Sequence, residues 1–468
     1  MDLLLNLEGS GGLADRIYRQ LTSAIHDGRL RPGEALPPSR DLAAQLQVSR
    51  STVTLVYERL GGEGYTEGRV GAGTFVASGP TPRRSTHAHR TRPAPLDAPP
   101  PLAARPTAYD FRLGVPDAAL FPLAAWRRHV SRELDTVATI SARYPDPGGP
   151  IALREGIAHH LGVARSVDAD PGDVVVTGGA QQAIDLLARV LIRPGDTVAV
   201  EEPGYPPIRQ VFEAHGARVV SVPVDREGAD PAGIPAHTRV VYVTPSHQFP
   251  TGVVMSRTRR LALLDWAARN DAIIIEDDYD SEYRFLDRPL EPLHVLDTVG
   301  SVAYVGTFSK ALLPGLRAGY VIPPRRFVQA LQNARRLADR HGDVVTQGAL
   351  ARLMASGEYA AHIRRARRIY RARHAAISDI LARDFADRLE LIPSSAGLHL
   401  CAMIRDARPG TARRVRDAAE VSGLAVETLE GYCADEPREG IVLGFGAIQL
   451  DQIDDGLRLL AAAFRRTG

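Results

Sequence analysis

Lysine is almost missing from this chain. Of its 57 Lys and Arg residues, 56 are arginine and one, Lys310, is lysine. Cysteine is scarce too. Two thiols, Cys401 and Cys433, exclude a disulfide framework and read as reduced. No apolar run approaches the roughly 18 residues that cross a bilayer. Met1 to Leu7 lacks the basic start and long apolar stretch of a secretion signal, so a cytoplasmic location is expected. Excess charge is also absent. The net of +2 gives no whole-chain sign of a nucleic-acid or membrane partner.

What remains is ordinary for a folded protein: 44% hydrophobic and 24% charged residues over a length that suits two to four domains. A genome that favours arginine codons accounts for the missing lysines but not for the one retained. Arginine replaces lysine as a surface charge. It cannot do so where a deprotonated amine must attack a carbonyl. Lys310 is therefore a candidate Schiff-base residue before any motif is read.

Three regions separate along the chain. Residues 10–78 are compact and mixed. Residues 79–108 hold eight prolines, five arginines and one acid, a composition that cannot form a core and reads as a semi-extended linker. From Tyr109 to residue 468, apolar strands alternate with helices. The expected strands are Val174–Thr177, Thr197–Val200, Arg218–Val222, Val240–Val243, Ala272–Glu276, Val302–Val305 and Gly319–Ile322. Helices such as Gln182–Leu191 and Thr258–Ala268 fill the gaps. This predicts an α/β fold with a mostly parallel sheet covered on both faces. After about residue 325 arginine-rich helices dominate, as in a smaller C-terminal lobe.

In the first region Leu13, Ile17, Leu21 and Ile25 give a helix with one buried stripe. Ser39 is the expected N-cap of a second helix burying Leu42, Ala43 and Leu46. Ser49 caps a third that buries Val53, Val56 and Leu60. Gly68 to Val76 form a glycine-rich hairpin suited to a wing. Residues 1–78 hold eight arginines against nine acids, a net of −1, so charge alone does not point to DNA. The string GRLRPGEALPPSRDLAAQLQVSRSTVTLVYERLGGEGYTEGRVGAGTFV, however, resembles the GntR-family winged helix-turn-helix over its whole length. That resemblance implies that Arg40, Ser49, Arg50, Thr52 and Thr54 contact DNA and that Gly71 and Gly73 bring the wing to the minor groove. Gln47 departs from the family, which usually has glycine in that turn.

Lys310 sits in GTFSKALLPGLRAGY, just after a predicted strand. Pyridoxal phosphate needs a lysine, an acid against its ring nitrogen, a cradle for phosphate and an aromatic against its ring. Each has a candidate near the carboxyl end of a strand, where open α/β sheets bind ligands. Asp277 is the candidate acid, with Asp278 and Asp280 left open by chemistry alone. Gly178-Gly179-Ala180-Gln181 opens a helix whose free N–H groups suit phosphate. Thr307 and Arg317 add a hydroxyl and a cation, and Tyr205 an aromatic ring.

These strings closely resemble fold-type-I aminotransferases from about residue 110 onward. The resemblance implies Lys310 as the Schiff-base lysine, Asp277 as partner of the pyridine nitrogen and Tyr279 as donor to the ring oxygen. Arg317, Thr307 and the Gly179, Ala180, Gln181 turn would hold phosphate. Tyr144 would reach the phosphate of a neighbouring subunit, which implies a homodimer. Two departures stand out. Phe249 occupies the place of an asparagine that holds the ring oxygen in aminotransferases. No arginine lies at 441–448, where related proteins often clamp a substrate carboxylate. Ala447 stands there instead, Arg438 is merely nearby, and a GABA-like effector is disfavoured.

The winged module, the linker, TPSHQFPTG and EDDYDSEYRF together resemble MocR-type regulators, a GntR subfamily. The resemblance implies a head-to-tail dimer whose operator binding responds to pyridoxal phosphate, or to an amine effector that forms an aldimine with it. The rival expectation is an active aminotransferase with an appended DNA-binding module.

Overall fold

The computed structural model describes residues 5, 7, 12–69, 71–77, 107–140, 144–285 and 291–467. The chain folds as two compact units, Met1–Asp97 and Ala98–Gly468. The linker expected at 79–108 lies outside the described residues apart from Thr107 and Ala108.

The first unit is three helices and a hairpin. Helix Leu13–His26 buries Ile17, Leu21, Ala24 and Ile25 against Val56 and Leu60 of helix Arg50–Gly62. Leu13, expected in that stripe, stands exposed at the first turn. Helix Ser39–Leu46 differs from expectation at its start: Ser39 is the first helical residue, and Pro38 takes the cap position without a side-chain bond. Proline's carbonyl instead accepts from Asp41 and Leu42. Ser49 does cap the third helix, its hydroxyl accepting from Thr52 N at 3.2 Å. Strands Thr66–Arg69 and Gly73–Val76 pair antiparallel to form the wing, which Leu36 N–H anchors at Thr74 C=O, 2.8 Å.

The second unit is built on an eight-stranded sheet. Its order is Val175–Thr177, Gly319–Ile322, Val302–Thr307, Ile273–Asp278, Thr238–Val243, Thr197–Glu202, Arg218–Asp225, Gly228–Ala229. The five strands from Val302–Thr307 to Arg218–Asp225 pair in parallel; Gly319–Ile322 and Gly228–Ala229 run antiparallel to their neighbours. Each of the seven predicted strands is present. Several run further at their carboxyl ends, through Glu201, Asp277 and Thr307, because polar residues there are still buried and still paired in the ladder. Asp277 and Thr307 thus belong to strands rather than to loops. One sheet face packs on helix Ala180–Leu191, through Ile184 and Leu187; the other packs on Trp266 and Leu263 of helix Arg257–Arg269.

The C-terminal lobe holds strands that the sequence pattern does not reveal. Leu389–Leu391, His399–Ile404, Gly440–Gly444 and Glu427–Thr428 form an antiparallel sheet in that order. Helices Glu358–Asp384, Thr411–Val421 and Ile453–Thr467 cover it, with Tyr370, Ile377, Leu443 and Leu457 in one core. Residues Phe111–Val115 run along this lobe, and Leu113 and Gly114 among them line a cavity of the second unit. Gly444 N donates to Phe111 O at 2.7 Å, and a Cβ on Gly444 would fall 2.2 Å from Arg112 O. No described helix is long and apolar enough to cross a membrane.

Candidate cofactor site and nucleic-acid face

A cavity of about 340 Å³ opens at the carboxyl ends of the parallel strands. Lys310, Asp277, Tyr279, Tyr205, Gly179, Ala180, Gln181, Thr307 and Arg317 all line it. Candidate residues from well-separated stretches of chain are therefore brought to one space. Tyr144 is not among them. It is 74% exposed, with the Arg340 guanidinium 4.4 Å over its ring and His341 beside it.

Lys310 donates from Nζ to Gly114 O at 2.8 Å. Gly114 has φ +74°, and a Cβ there would come within 2.8 Å of Nζ, so glycine is what admits the lysine to this carbonyl. Burial pushes the Lys310 amine below its ordinary range, against the opposing pull of Asp280 and Asp277.

The three acids that chemistry alone left open have different surroundings. Asp278 does not line the cavity. Arg165 holds it at 2.7 Å in a buried pair, and Ser281 and Tyr304 donate to the same oxygen. Asp280 faces His247, 3.0 Å away. Asp277 accepts from Tyr242 Oη at 2.7 Å on Oδ2, and its buried Oδ1 has no partner among the described residues. Burial raises its carboxyl to about 7, with Asp278 and Asp280 adding to the rise. An unpaired carboxylate oxygen in a dry wall costs energy unless a donor or a cation meets it.

Opposite lies the start of helix Ala180–Leu191, with Gly179 at its cap at φ +102°. Gly319 backs that turn: a Cβ on it would fall 2.8 Å from Gly179 Cα. Free backbone N–H groups, the helix dipole and the Arg317 guanidinium together favour an anion at this wall. Arg317 adopts a left-handed conformation, φ 49°, at the turn that delivers it. It is the only guanidinium among the cavity's described lining residues. Arg438 lies elsewhere, near Val224 O.

Phe249 forms part of the wall and packs edge-on against Tyr205, Tyr279 and Tyr432. Residues missed from the sequence are Tyr242, Thr244, Ser309, His399 and Tyr432, while Asp280, left open as a candidate acid, lines the cavity beside Asp277. Ser309 was legible beside Lys310. Tyr242 was not, since VVYV reads only as an apolar strand, and His399 and Tyr432 come from the lobe whose strands went unread.

On the first unit Arg40, Ser49 and Arg50 are exposed, while Thr52 and Thr54 are partly so. No carboxylate pairs with Arg40 or Arg50 among the described residues. Gly71 (φ +74°) and Gly73 (φ +107°) shape the wing, and Arg69 is paired with Glu67 at 2.6 Å. The face can thus offer the Arg50 guanidinium at the start of a capped helix and that of Arg40 on the helix before it, as helix-turn-helix docking requires.

A family model described as aminotransferase class I and II matches residues 112–425, and one described as bacterial regulatory proteins, gntR family, matches residues 13–76. Similar curated proteins include the probable rhizopine catabolism regulatory protein MocR of Rhizobium meliloti, 34% identical over 99% of this chain and 96% of that one. The pyridoxine biosynthesis transcriptional regulator PdxR of Corynebacterium glutamicum is 33% identical over 97% and 96%. Among solved structures, Pyrococcus horikoshii kynurenine aminotransferase, in complex with PMP, has a TM-score of 0.69 at 28% identity. That match covers 75% of this chain and 89% of the other.

Proposed function

The chain belongs to the aminotransferase class I and II family and carries a gntR-family module ahead of that domain, and we propose that it is a cytoplasmic regulator whose operator binding responds to the occupancy of the Lys310 cavity. It is a DNA-binding transcription regulator of the type its full-length relatives represent. The observation that carries the finer reading is the placement of the chain's sole lysine in a cavity with an unpaired buried acid and a helix N-terminus.

The residues present fit pyridoxal phosphate. Lys310 would hold it covalently, Asp277 Oδ1 would meet its ring nitrogen, and Tyr205 would lie against its ring. Tyr279 would donate to its ring oxygen. Thr307, Arg317 and the Gly179, Ala180, Gln181 turn would hold its phosphate, and Tyr144 of a neighbouring subunit would complete that cradle in a head-to-tail homodimer. When bound, the cofactor would supply an electrophilic carbon, at the link to Lys310, that amines attack and a ring that withdraws electrons.

The chain's own groups then explain a response. Burial keeps the Lys310 amine closer to its nucleophilic form at neutral pH. A Lys310 amine not engaged with the cofactor would have Gly114 O as its partner, 2.8 Å away. A ligand that changes which contacts Lys310 makes would shift the equilibrium between states of the molecule by its differential affinity for them. The effector is an amine, an amino acid or the cofactor itself. With Arg317 committed to phosphate, the cofactor itself fits the lining residues best.

Footprinting of the DNA upstream of its own gene, with and without pyridoxal phosphate, tests this reading. A protected two-half-site operator whose affinity changes with the cofactor is expected; an affinity indifferent to cofactor and amines overturns the response. An active aminotransferase remains the second reading, favoured by the near-complete lining set around Lys310. Turnover of an amino acid and a keto acid without operator preference selects it.

A further inference from the structure

Phe249 puts an apolar ring where an amide would face the cofactor, so polar support at that wall has to come from behind it. There lies His247, 1% exposed. Its Nδ1 is 3.0 and 3.3 Å from the two oxygens of Asp280 and 3.1 Å from Tyr279 Oη. An ionised carboxylate only accepts, so the proton sits on Nδ1 and is shared between Asp280 and the phenol oxygen. The phenol's own proton rests against His247 C=O, 3.0 Å away, and is the one it would turn to the ring oxygen of a bound cofactor while Nδ1–H continues to hold the phenol oxygen. One residue therefore grips Tyr279 twice, through its ring and its backbone.

The pair has a purpose-built seat. Gly397, at φ +79°, leaves the space in which a Cβ would fall 2.1 Å from His247 Nδ1 and 2.4 Å from Asp280 Oδ2. Leu398 N adds a 3.3 Å bond to Asp280. Other titratable groups face the pair: His399, its ring 4.4 Å from that of His247, and Lys310 across the cavity. Burial keeps His399 neutral and holds the Tyr279 phenol protonated, well above its ordinary range.

We propose that His247, oriented by Asp280 on the bare face of Gly397, is a positioning residue that aims the Tyr279 phenol at the cofactor ring, in place of the amide that Phe249 displaces. This rests on the cofactor reading above. A donor that is itself hydrogen-bonded is polarised and held in direction, so it binds better than a free phenol.

The test uses the full chain loaded with pyridoxal phosphate. Two quantities are read, the cofactor's dissociation constant and the pH midpoint of its visible absorption. His247→Leu removes the Nδ1 donor, whereas His247→Asn places an amide nitrogen near the same point. The leucine variant should bind roughly tenfold more weakly, the scale of one hydrogen bond, and shift the midpoint in the same direction as Tyr279→Phe. Asparagine should restore both values to within about twofold. Adding His247→Leu to Tyr279→Phe should cost nothing further, because coupled residues are non-additive. Additive losses, or no rescue by asparagine at an unchanged apo melting temperature, overturn the proposal. If the leucine variant does not fold, Gly397→Ala takes its place, and an unshifted midpoint there is equally fatal. Wild-type protein that takes up no cofactor at Lys310 overturns the cofactor reading instead.

Discussion

The recognition face of the first unit and the cavity of the second organise polar groups in opposite ways. The candidate contacts Arg40, Ser49, Arg50, Thr52, Thr54, Gly71 and Gly73 lie within one short stretch, are exposed or partly exposed, and bond locally, as Ser49 does to Thr52. The cavity draws on residues from Leu113 to Tyr432 and joins them across the sequence: Lys310 meets a carbonyl 196 positions away, and Asp277 a phenol 35 away. An exposed group can be exchanged without disturbing the core. A buried polar group is part of the core, so its chemistry and the stability of the fold are hard to separate.

Lys310→Arg should give the largest effect and test that contrast first. Arginine keeps the charge but cannot form the covalent link, so borohydride should fix no cofactor, whereas the wild type should be labelled once per chain on the Lys310 peptide. Label on another peptide removes the basis of the cofactor reading. Asp278→Ala comes next, through stability rather than cofactor. It strands Arg165 in a buried site, and losing one member of such a pair costs about 3–5 kcal/mol, readable by denaturant titration.

Asp277→Ala should act the other way: weaker cofactor binding with little loss of apo stability. The sign follows from its raised pKa. The folded state holds this proton up to about pH 7, well above an unfolded aspartate, so the apo protein loses stability as pH rises between those values. Removing the carboxyl should flatten the fall in apo melting temperature from about pH 4 to 7; an unchanged slope would mean that the burial of Asp277 is not what shifts it.

These pairs also show what was legible in the sequence. Asp277, Asp278 and Asp280 are chemically equal in a string, and only packing separates them. Strands were readable because parallel, two-face-buried strands are apolar runs, but their carboxyl ends were cut short at Glu201, Asp277 and Thr307, where polarity imitates a loop. The lobe sheet went unread because Glu427–Thr428 and Leu389–Leu391 are too short to show alternation. His247 lay in a string that carried the family resemblance but showed no role of its own, since its meaning depends on Gly397 and Asp280 arriving beside it.

On the exposed face effects should be smaller and cleaner. Arg50→Ala should weaken operator binding and leave cofactor absorption untouched. If Arg50 reads a guanine, discrimination at that base falls by ~1–3 kcal/mol; if it meets phosphate, affinity falls evenly and the salt slope shrinks by about one unit. Footprint titrations at several salt concentrations distinguish the two, and wild-type affinity in the variant removes Arg50 from the interface.

The smallest expected effect is at Gln47, and it isolates the backbone from everything else. Helix Ser39–Leu46 ends there in a left-handed turn, φ 54° and ψ 39°, with Val48 N bonded back to Ala43 O at 3.0 Å. That closure requires a positive φ, which a residue with a Cβ adopts at a cost of roughly 1 kcal/mol. The Gln47 side chain is exposed, so little packing offsets that strain. Gln47→Gly should therefore raise the local stability of the first unit by about 1 kcal/mol, seen as roughly fivefold slower amide exchange in residues 39–60 of the full chain. Exchange in cavity peptides should not change. Gln47→Ala should give no gain, because alanine keeps the Cβ that causes the strain. Equal protection in the glycine and alanine variants would show that the turn is held by its hydrogen bonds alone, and that the first unit tolerates strain as the buried site does.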